Sequence, residues 1–259
     1  MIYRTILVSE EDGVQTITLN RPERRNAMTP EMLDELLSAI QAAVVGACRV
    51  VIFAGAGAAF CAGLDLSVLQ TIGEQSAAEH RVDAERIARF FRTLYELPKP
   101  TIAVVQGAAI AGGTGLATIC DFTLAAPEAK FGFTEVRIGF VPALVSAFLA
   151  LQIGDKRARD LLLTGRLFDA EEAHRLGLVT EVVQPDRLAG RALELSAMLK
   201  ANSPQSVTAT KRLLVAQNKA WLDAALAQAL ITNSEARDTR DFHEGVAAFL
   251  EKRKPVWGK

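Results

Sequence analysis

The 259-residue sequence holds only three cysteines and three histidines. Cys48, Cys61 and Cys120 are too few and too unpatterned for a disulfide framework or a zinc site. His80, His174 and His243 are far apart and form no HxxxH-type pair, so no metal site is expected. A surplus of charge is also missing: 29 basic side chains face 30 acidic ones, for a net charge of −1. Nucleic-acid binders usually carry a basic excess, so none is expected as a partner here. Aromatic residues make up only 6% of a chain that is 50% hydrophobic. Aliphatic and small side chains must therefore build the interior, and the length is enough for one large core.

One long uncharged stretch, Pro100 to Cys120, raises the question of a membrane span. Pro100, Gln106, Gly107, Gly112, Gly113 and Gly115 break it into pieces. Those pieces read as a buried strand over 101–106, a turn, and a small-residue helix over 111–118. The N-terminal residues read as a strand. The expectation is a soluble, cytoplasmic protein with no membrane association.

The first part of the chain alternates strand and helix signals. Tyr3–Ser9 and Val14–Asn20 are β-type runs joined at Asp12-Gly13, a hairpin turn signal. Thr29-Pro30-Glu31 opens a helix with an N-cap, a first-turn proline and an acid. Residues 49–55, 121–126 and 131–133 read as strands, and 81–97 as an amphipathic helix stopped by Pro98 and Pro100. From Pro142 the pattern is mostly helical, over 141–154, 155–163, 170–176, 185–199, 204–217, 221–233 and 239–252. One strand, 178–183, interrupts it. These units fit either a coil of stacked ββα turns or an open α/β sheet. They divide the chain into an α/β part, residues 1–184, and a helical part, residues 185–259.

Two glycine-rich segments follow strands and precede helices. In Ala54–Leu66 the glycine spacing is not that of a dinucleotide fingerprint, and no Gly-Lys-Ser/Thr marks a phosphate loop. Gln106–Gly115 repeats the arrangement. Each can present bare backbone N–H groups, and two such donors on one carbonyl oxygen make an oxyanion hole. Tight helix–sheet packing would call for the same glycines. Glu135, in Phe133-Thr134-Glu135-Val136-Arg137-Ile138, has apolar neighbours that would bury it and raise its pKa, as a general acid/base requires. An exposed carboxylate paired with Arg137 or Lys130 is the alternative. Asp65 and Asp121 sit at element boundaries, where they suit caps or turns. His174 reads as solvated. Cys61 has no neighbour in sequence to activate it and reads as packing.

Four ordered motifs resemble those of the enoyl-CoA hydratase/isomerase (crotonase) superfamily. They are Asn20-Arg21-Pro22…Arg25-Asn26-Ala27-Met28, Phe60-Cys61-Ala62-Gly63-Leu64-Asp65-Leu66, Lys99-Pro100…Gly112-Gly113, and Glu244-Gly245…Phe249…Lys252-Arg253. The resemblance spans nearly the whole chain. It implies a ββα spiral core with a C-terminal helical trimerisation subdomain, and a homotrimer or dimer of trimers. It implies an acyl-CoA thioester substrate, with coenzyme A as part of that substrate and no tightly bound cofactor. It places the oxyanion-hole N–H groups at Leu64 and Gly112, and a catalytic acid at Glu135. Arg25, Ala27, Met28, Ala62, Gly63, Asp65, Leu66 and Gly113 map to the substrate and CoA-binding stretches. Phe249 and Lys252 would reach CoA across a subunit boundary.

One departure bears on mechanism. Hydratases of the common type carry a second glutamate three residues after the oxyanion-hole glycine, and Gly115 stands there in this chain. Glycine has no side chain to hold a proton. Hydration with Glu135 as the main acid/base is the favoured expectation. The string Thr134–Ala143 is similar to that of hydratases of branched acyl-CoA breakdown, of the methylglutaconyl-CoA type. Double-bond isomerisation by a single base, or an acyl-CoA-binding relic without catalysis, are the alternatives.

Overall fold

The computed structural model describes residues 2–72 and 75–258. β1 (Ile6–Glu11) and β2 (Val14–Leu19) form a hairpin. Asp12 and Gly13 both take positive φ, 48° and 70°, as the two-residue turn between right-twisted strands requires. α1 (Pro30–Val45) starts where Thr29 accepts the Met32 N–H, and buries Met32, Leu33, Leu36, Leu37 and Ile40. β3 (Val50–Gly55), α2 (Leu66–Ile72) and α3 (Ala77–Glu96) follow. A capping box between Ser76 and Glu79 fixes the start of α3. Next come β4 (Thr101–Val105), β5 (Ala109–Ile110), α4 (Gly112–Ile119), β6 (Phe122–Ala125) and β7 (Lys130–Gly132). A 3-10 turn over Glu135–Ile138 precedes α5 (Ala143–Ile153), α6 (Asp155–Thr164), β8 (Phe168–Asp169), α7 (Ala170–Leu176) and β9 (Glu181–Val182). The chain closes with α8 (Leu188–Ala201), α9 (Pro204–Ala236) and α10 (Arg240–Leu250).

The larger sheet runs β1-β2-β3-β4-β6-β9, and every pair after the hairpin is parallel. The smaller sheet runs β5-β7-β8. Single bridges Met28–Leu64 and Cys61–Ala109 extend that second layer back along the chain. Each successive turn thus places one segment in each layer, which is a ββα spiral rather than an open sheet. Alternation along the strands feeds two cores. Val51, Phe53, Ala103, Val105 and Ala125 face the main core with α1, α3 and α4. Val50, Ile52, Ile102 and Leu124 face Leu188 and Ala192 of α8.

Residues 204–217 and 221–233 form one helix of 33 residues, not two. Nothing in Asn218-Lys219-Ala220 breaks a helix. Asn218 Nδ2 donates to the Tyr95 hydroxyl at 3.0 Å, and Lys219 pairs with Asp223 one turn on. Asp121 ties the sheet to α9: its carboxylate accepts from Thr101 N–H and Oγ1 and pairs with Lys211 at 2.6 Å. No helix among the described residues is long and apolar enough to cross a membrane.

Asn26 is the polar pin of the spiral. It is buried, and its Nδ2 donates to the carbonyls of Ala56 and Ala59 at 2.9 and 2.8 Å. Its Oδ1 accepts from the Arg21 N–H at 2.9 Å. Its φ of 56° is one that asparagine tolerates better than alanine. Asn26→Ala is expected to lower the unfolding free energy by about 2–4 kcal/mol, since it orphans the Arg21 N–H and the Ala56 carbonyl and leaves the Ala59 carbonyl only the Gln106 amide. Urea denaturation measures this, and a loss below ~1 kcal/mol would contradict the assignment.

Candidate active site

A cavity of about 500 Å³ opens between the two glycine segments, the Glu135 turn, α3 and α5. Leu64, Gly112 and Glu135 all line it, as do Arg25, Ala27, Met28, Ala62, Asp65 and Phe249. Gly63, Gly113 and Gly115 lie outside its wall, and so does Lys252, which is exposed beyond α10. The side chain of Leu66 lies outside the described residues, as do Gly73 and Glu74. Leu69 of α2 reaches the wall. More of it comes from Ile87, Phe91 and residues 138–145.

Backbone geometry explains why two N–H groups are available. Met28 N–H donates to the Gly63 carbonyl at 2.7 Å, and Asp65 N–H donates to the Met28 carbonyl at 2.9 Å. The intervening Leu64 N–H is left undonated among the described residues. Gly112 is the first residue of α4, so its N–H has no partner within the helix. Ala111 before it has φ 52° and ψ −121°, the first central position of a type II′ turn. That conformation costs a non-glycine residue about 1–3 kcal/mol, and it sets the orientation of the next peptide. The Ala111 N–H is anchored on the Gly132 carbonyl at 2.7 Å.

The glycines separate into two kinds. A Cβ at Gly113 would overlap the Cys61 carbonyl, and one at Gly107 the Ala58 carbonyl. These two allow backbone to lie on backbone. At Gly112 a Cβ would meet nothing closer than Met28 Sδ, at 3.8 Å. Packing does not demand glycine there, and its open side faces the cavity.

Glu135 Oε2 is sealed from solvent and has no hydrogen-bond partner. Burial pushes the carboxyl pKa up to about 7, against a small opposing effect of its own backbone N–H. No ion pair to Arg137 or Lys130 forms among the described residues. Asp65 differs. Burial would raise its pKa, but the Ser67 N–H and hydroxyl and then Arg21 hold it below the usual carboxylate range. It accepts the Ser67 N–H at 2.9 Å at the start of α2 and pairs with Arg21 at 2.7 Å, so its charge is already committed. Burial pushes the Cys61 thiol up to about 12, which leaves no thiolate to attack. His174 is exposed and hydrogen-bonds the Val179 carbonyl.

At Gly115, a Cβ would lie 2.6 Å from Val145 Cγ1 and 3.2 Å from Phe91 Cζ. The place where a second acid would start is filled by an apolar wall. Sequence reasoning also missed the supports of the site. Arg21 holds both the Ala27 carbonyl and Asp65. Gly245 lets α10 lie directly on Ile138 of the Glu135 turn. The motif Asn20-Arg21…Asn26 carried the first of these signals, and Glu244-Gly245 the second.

The arrangement can hold a carbonyl oxygen beside one acid/base of near-neutral pKa. The family model described as enoyl-CoA hydratase/isomerase matches residues 9–259. A crotonyl-CoA hydratase of Syntrophomonas wolfei is 32% identical over 257 residues, 98% of each chain. A 2,3-dehydroadipyl-CoA hydratase of Escherichia coli is 32% identical over 252 residues, 96% of this chain and 97% of that one. The crystal structure of an enoyl-CoA hydratase/isomerase from Xanthobacter autotrophicus superimposes with a TM-score of 0.89 at 33% identity, covering 97% of this chain and 98% of that one. The fold, the cavity and these full-length likenesses agree: the chain belongs to the enoyl-CoA hydratase/isomerase family and has the crotonase fold.

Proposed function

We propose that this enzyme adds water to a 2-enoyl-CoA, with Glu135 as its single carboxylate acid/base. The observation that carries the reading is the unpartnered Glu135 carboxyl in the same cavity as two undonated backbone N–H groups. The Leu64 and Gly112 N–H groups hold the thioester oxygen, where charge accumulates as water attacks C3. The C3–O bond forms, and the C2=C3 electrons move onto the thioester as an enolate. The Glu135 carboxylate takes the water proton and returns it to C2, so one water is added and no cofactor is consumed. Coenzyme A enters as part of the substrate. Arg24 and Arg25 stand exposed at the cavity mouth without ion pairs among the described residues, placed to meet its phosphates.

The same base could shuttle a proton between C2 and C4. The apolar filling beside Gly115 favours this second reading, double-bond isomerisation, because it leaves no second group to hold a water. Mass spectrometry of products separates the two: hydration adds one water, and isomerisation leaves the mass unchanged. Assembly as a homotrimer or a dimer of trimers is part of the proposal. Leu213, Leu214 and Trp221 of α9 are each more than half exposed and offer an apolar surface for it. Phe249 lines this chain's own cavity, so of the two tail residues Lys252 is the one left to reach CoA across a subunit boundary.

Glu135→Gln is expected to lower turnover by about 10²–10⁴-fold while acyl-CoA binding persists. Retained activity would sink the mechanism. The reaction starts from the carboxylate, so kcat/KM should rise with pH and level off above about 7, and the variant's residual activity should lack that limb. The folded carboxyl holds its proton to a higher pH than the unfolded one. Stability is therefore lost as pH rises from about 4.5 to about 7, and Glu135→Gln should be the more stable form at pH 8.

Gly112→Val keeps the N–H but puts a branched side chain into the cavity. Activity should fall at least about 100-fold with little change in melting temperature. A variant that simply unfolds would make Gly112 a packing residue. Gly115→Glu alone should destabilise by about 1–3 kcal/mol through overlap with Val145. Combined with Val145→Ala, it should raise crotonyl-CoA hydration about tenfold or more over Val145→Ala alone. No gain would show that a missing acid is not what limits hydration.

A further inference from the structure

Hydration needs its water aimed as well as deprotonated. The water attacks C3 through one lone pair, gives up one hydrogen and keeps the other on the product hydroxyl. Two acceptors, one for each hydrogen, point the lone pair at C3. Only the first of them has to take a proton, so any oxygen can serve as the second. Glu135 is the first. Beside Gly115, Val145 and Phe91 leave no room for the second, so it has to come from elsewhere on the lining. Few groups there can supply it. Asp65 is held by Arg21 and Ser67, and Glu23 stands exposed at the mouth. Asn233 of α9 is buried in the wall with its Oδ1 sealed from solvent, so no water reaches that oxygen.

Thr134 carries the one hydroxyl among the described residues of the cavity lining. It makes no hydrogen bond among the described residues, and its oxygen is not sealed from solvent. Other hydroxyls that open helices in this chain are spent on caps: Thr29, Ser76, Ser203 and Thr239 each accept an N–H of the helix they start. Thr134 opens the 3-10 turn that carries Glu135 and caps nothing. Its methyl carbon lies 3.4 Å from where a Cβ on Gly132 would stand, a point that Leu167 also crowds. The methyl is thus packed, and the hydroxyl is the branch without a partner. The backbone fixes both side chains in one turn: Arg137 N–H donates to the Thr134 carbonyl, and Phe140 N–H to the Glu135 carbonyl, each at 3.0 Å.

We propose that the Thr134 hydroxyl is the second water-holding group of the reaction, accepting the hydrogen that the attacking water keeps while Glu135 accepts the one it loses. The C3–O bond forms, one water proton passes to Glu135 and on to C2, and Thr134 neither gains nor loses a proton. A neutral hydroxyl thereby does the part of a second carboxylate. A proton shuttle between C2 and C4 uses no held water, so Thr134 has no part in isomerisation. This rests on the hydration reading above.

Thr134→Val keeps the branched shape and removes the hydroxyl. With crotonyl-CoA and 2-hexenoyl-CoA, kcat for hydration should fall about tenfold or more and KM should stay within about threefold. The melting temperature should not change, because the hydroxyl holds nothing in the fold. Exchange of the C2 hydrogens of butyryl-CoA in D2O, read by mass spectrometry, reports Glu135 and the oxyanion donors without an attacking water. In the valine variant that exchange should stay within about threefold of the unaltered enzyme. Thr134→Ser should recover most of the hydration, and Thr134→Ala serves if the valine variant does not fold. Glu135→Gln should stop hydration and exchange together. Hydration that survives loss of the hydroxyl, a loss that serine does not repair, or an equal loss of hydration and exchange overturns the proposal. In each case hydration by the unaltered enzyme that depends on Glu135 would leave the hydratase reading standing. If the unaltered enzyme hydrates neither substrate, both fall.

Discussion

Everything at the site depends on backbone lying against backbone between successive turns of the spiral. The Phe60–Leu64 loop and the start of α4 approach so closely that a single methyl group at Gly113 would overlap the Cys61 carbonyl. Ile110 N–H donates to that same carbonyl at 2.9 Å, and the Cys61–Ala109 bridge locks the register. This contact brings the Leu64 and Gly112 N–H groups to one cavity, although they lie on different turns.

The Glu135 carboxyl is positioned from the opposite direction. Gly245 lets α10 settle on Ile138, and a Cβ at Gly139 would overlap the Asp241 carbonyl. Phe140 and Phe242 pack with ring centroids 5.0 Å apart. The C-terminal helix thus holds the Glu135 turn in an apolar setting, and that setting raises the carboxyl pKa.

The place of a second carboxylate is not merely vacant. Val145 and Phe91 have taken its volume, and both line the cavity. The corner beside Gly115 is apolar wall, while the buried Asn233 amide stands elsewhere on the cavity lining.

Much of this was legible in order along the chain. Thr29-Pro30 placed the start of α1, Asp12-Gly13 the hairpin, and the four motifs the fold and its family, because caps, turns and glycine spacings act over a few residues. The apolar flanks of Glu135 already pointed to burial. Other features have no local signature. Gly112 and Gly113 look alike in sequence, but one faces a cavity and the other a carbonyl on another turn. Asn218 did not reveal that α9 runs through unbroken, since Tyr95 receives it from α3. Val145 filling the space beside Gly115, and Asn233 standing unpaired in the wall, depend on which distant residues share a volume. Local chemistry determined the elements and the donors; only the tertiary packing decided which groups face the cavity and which are used up in building it.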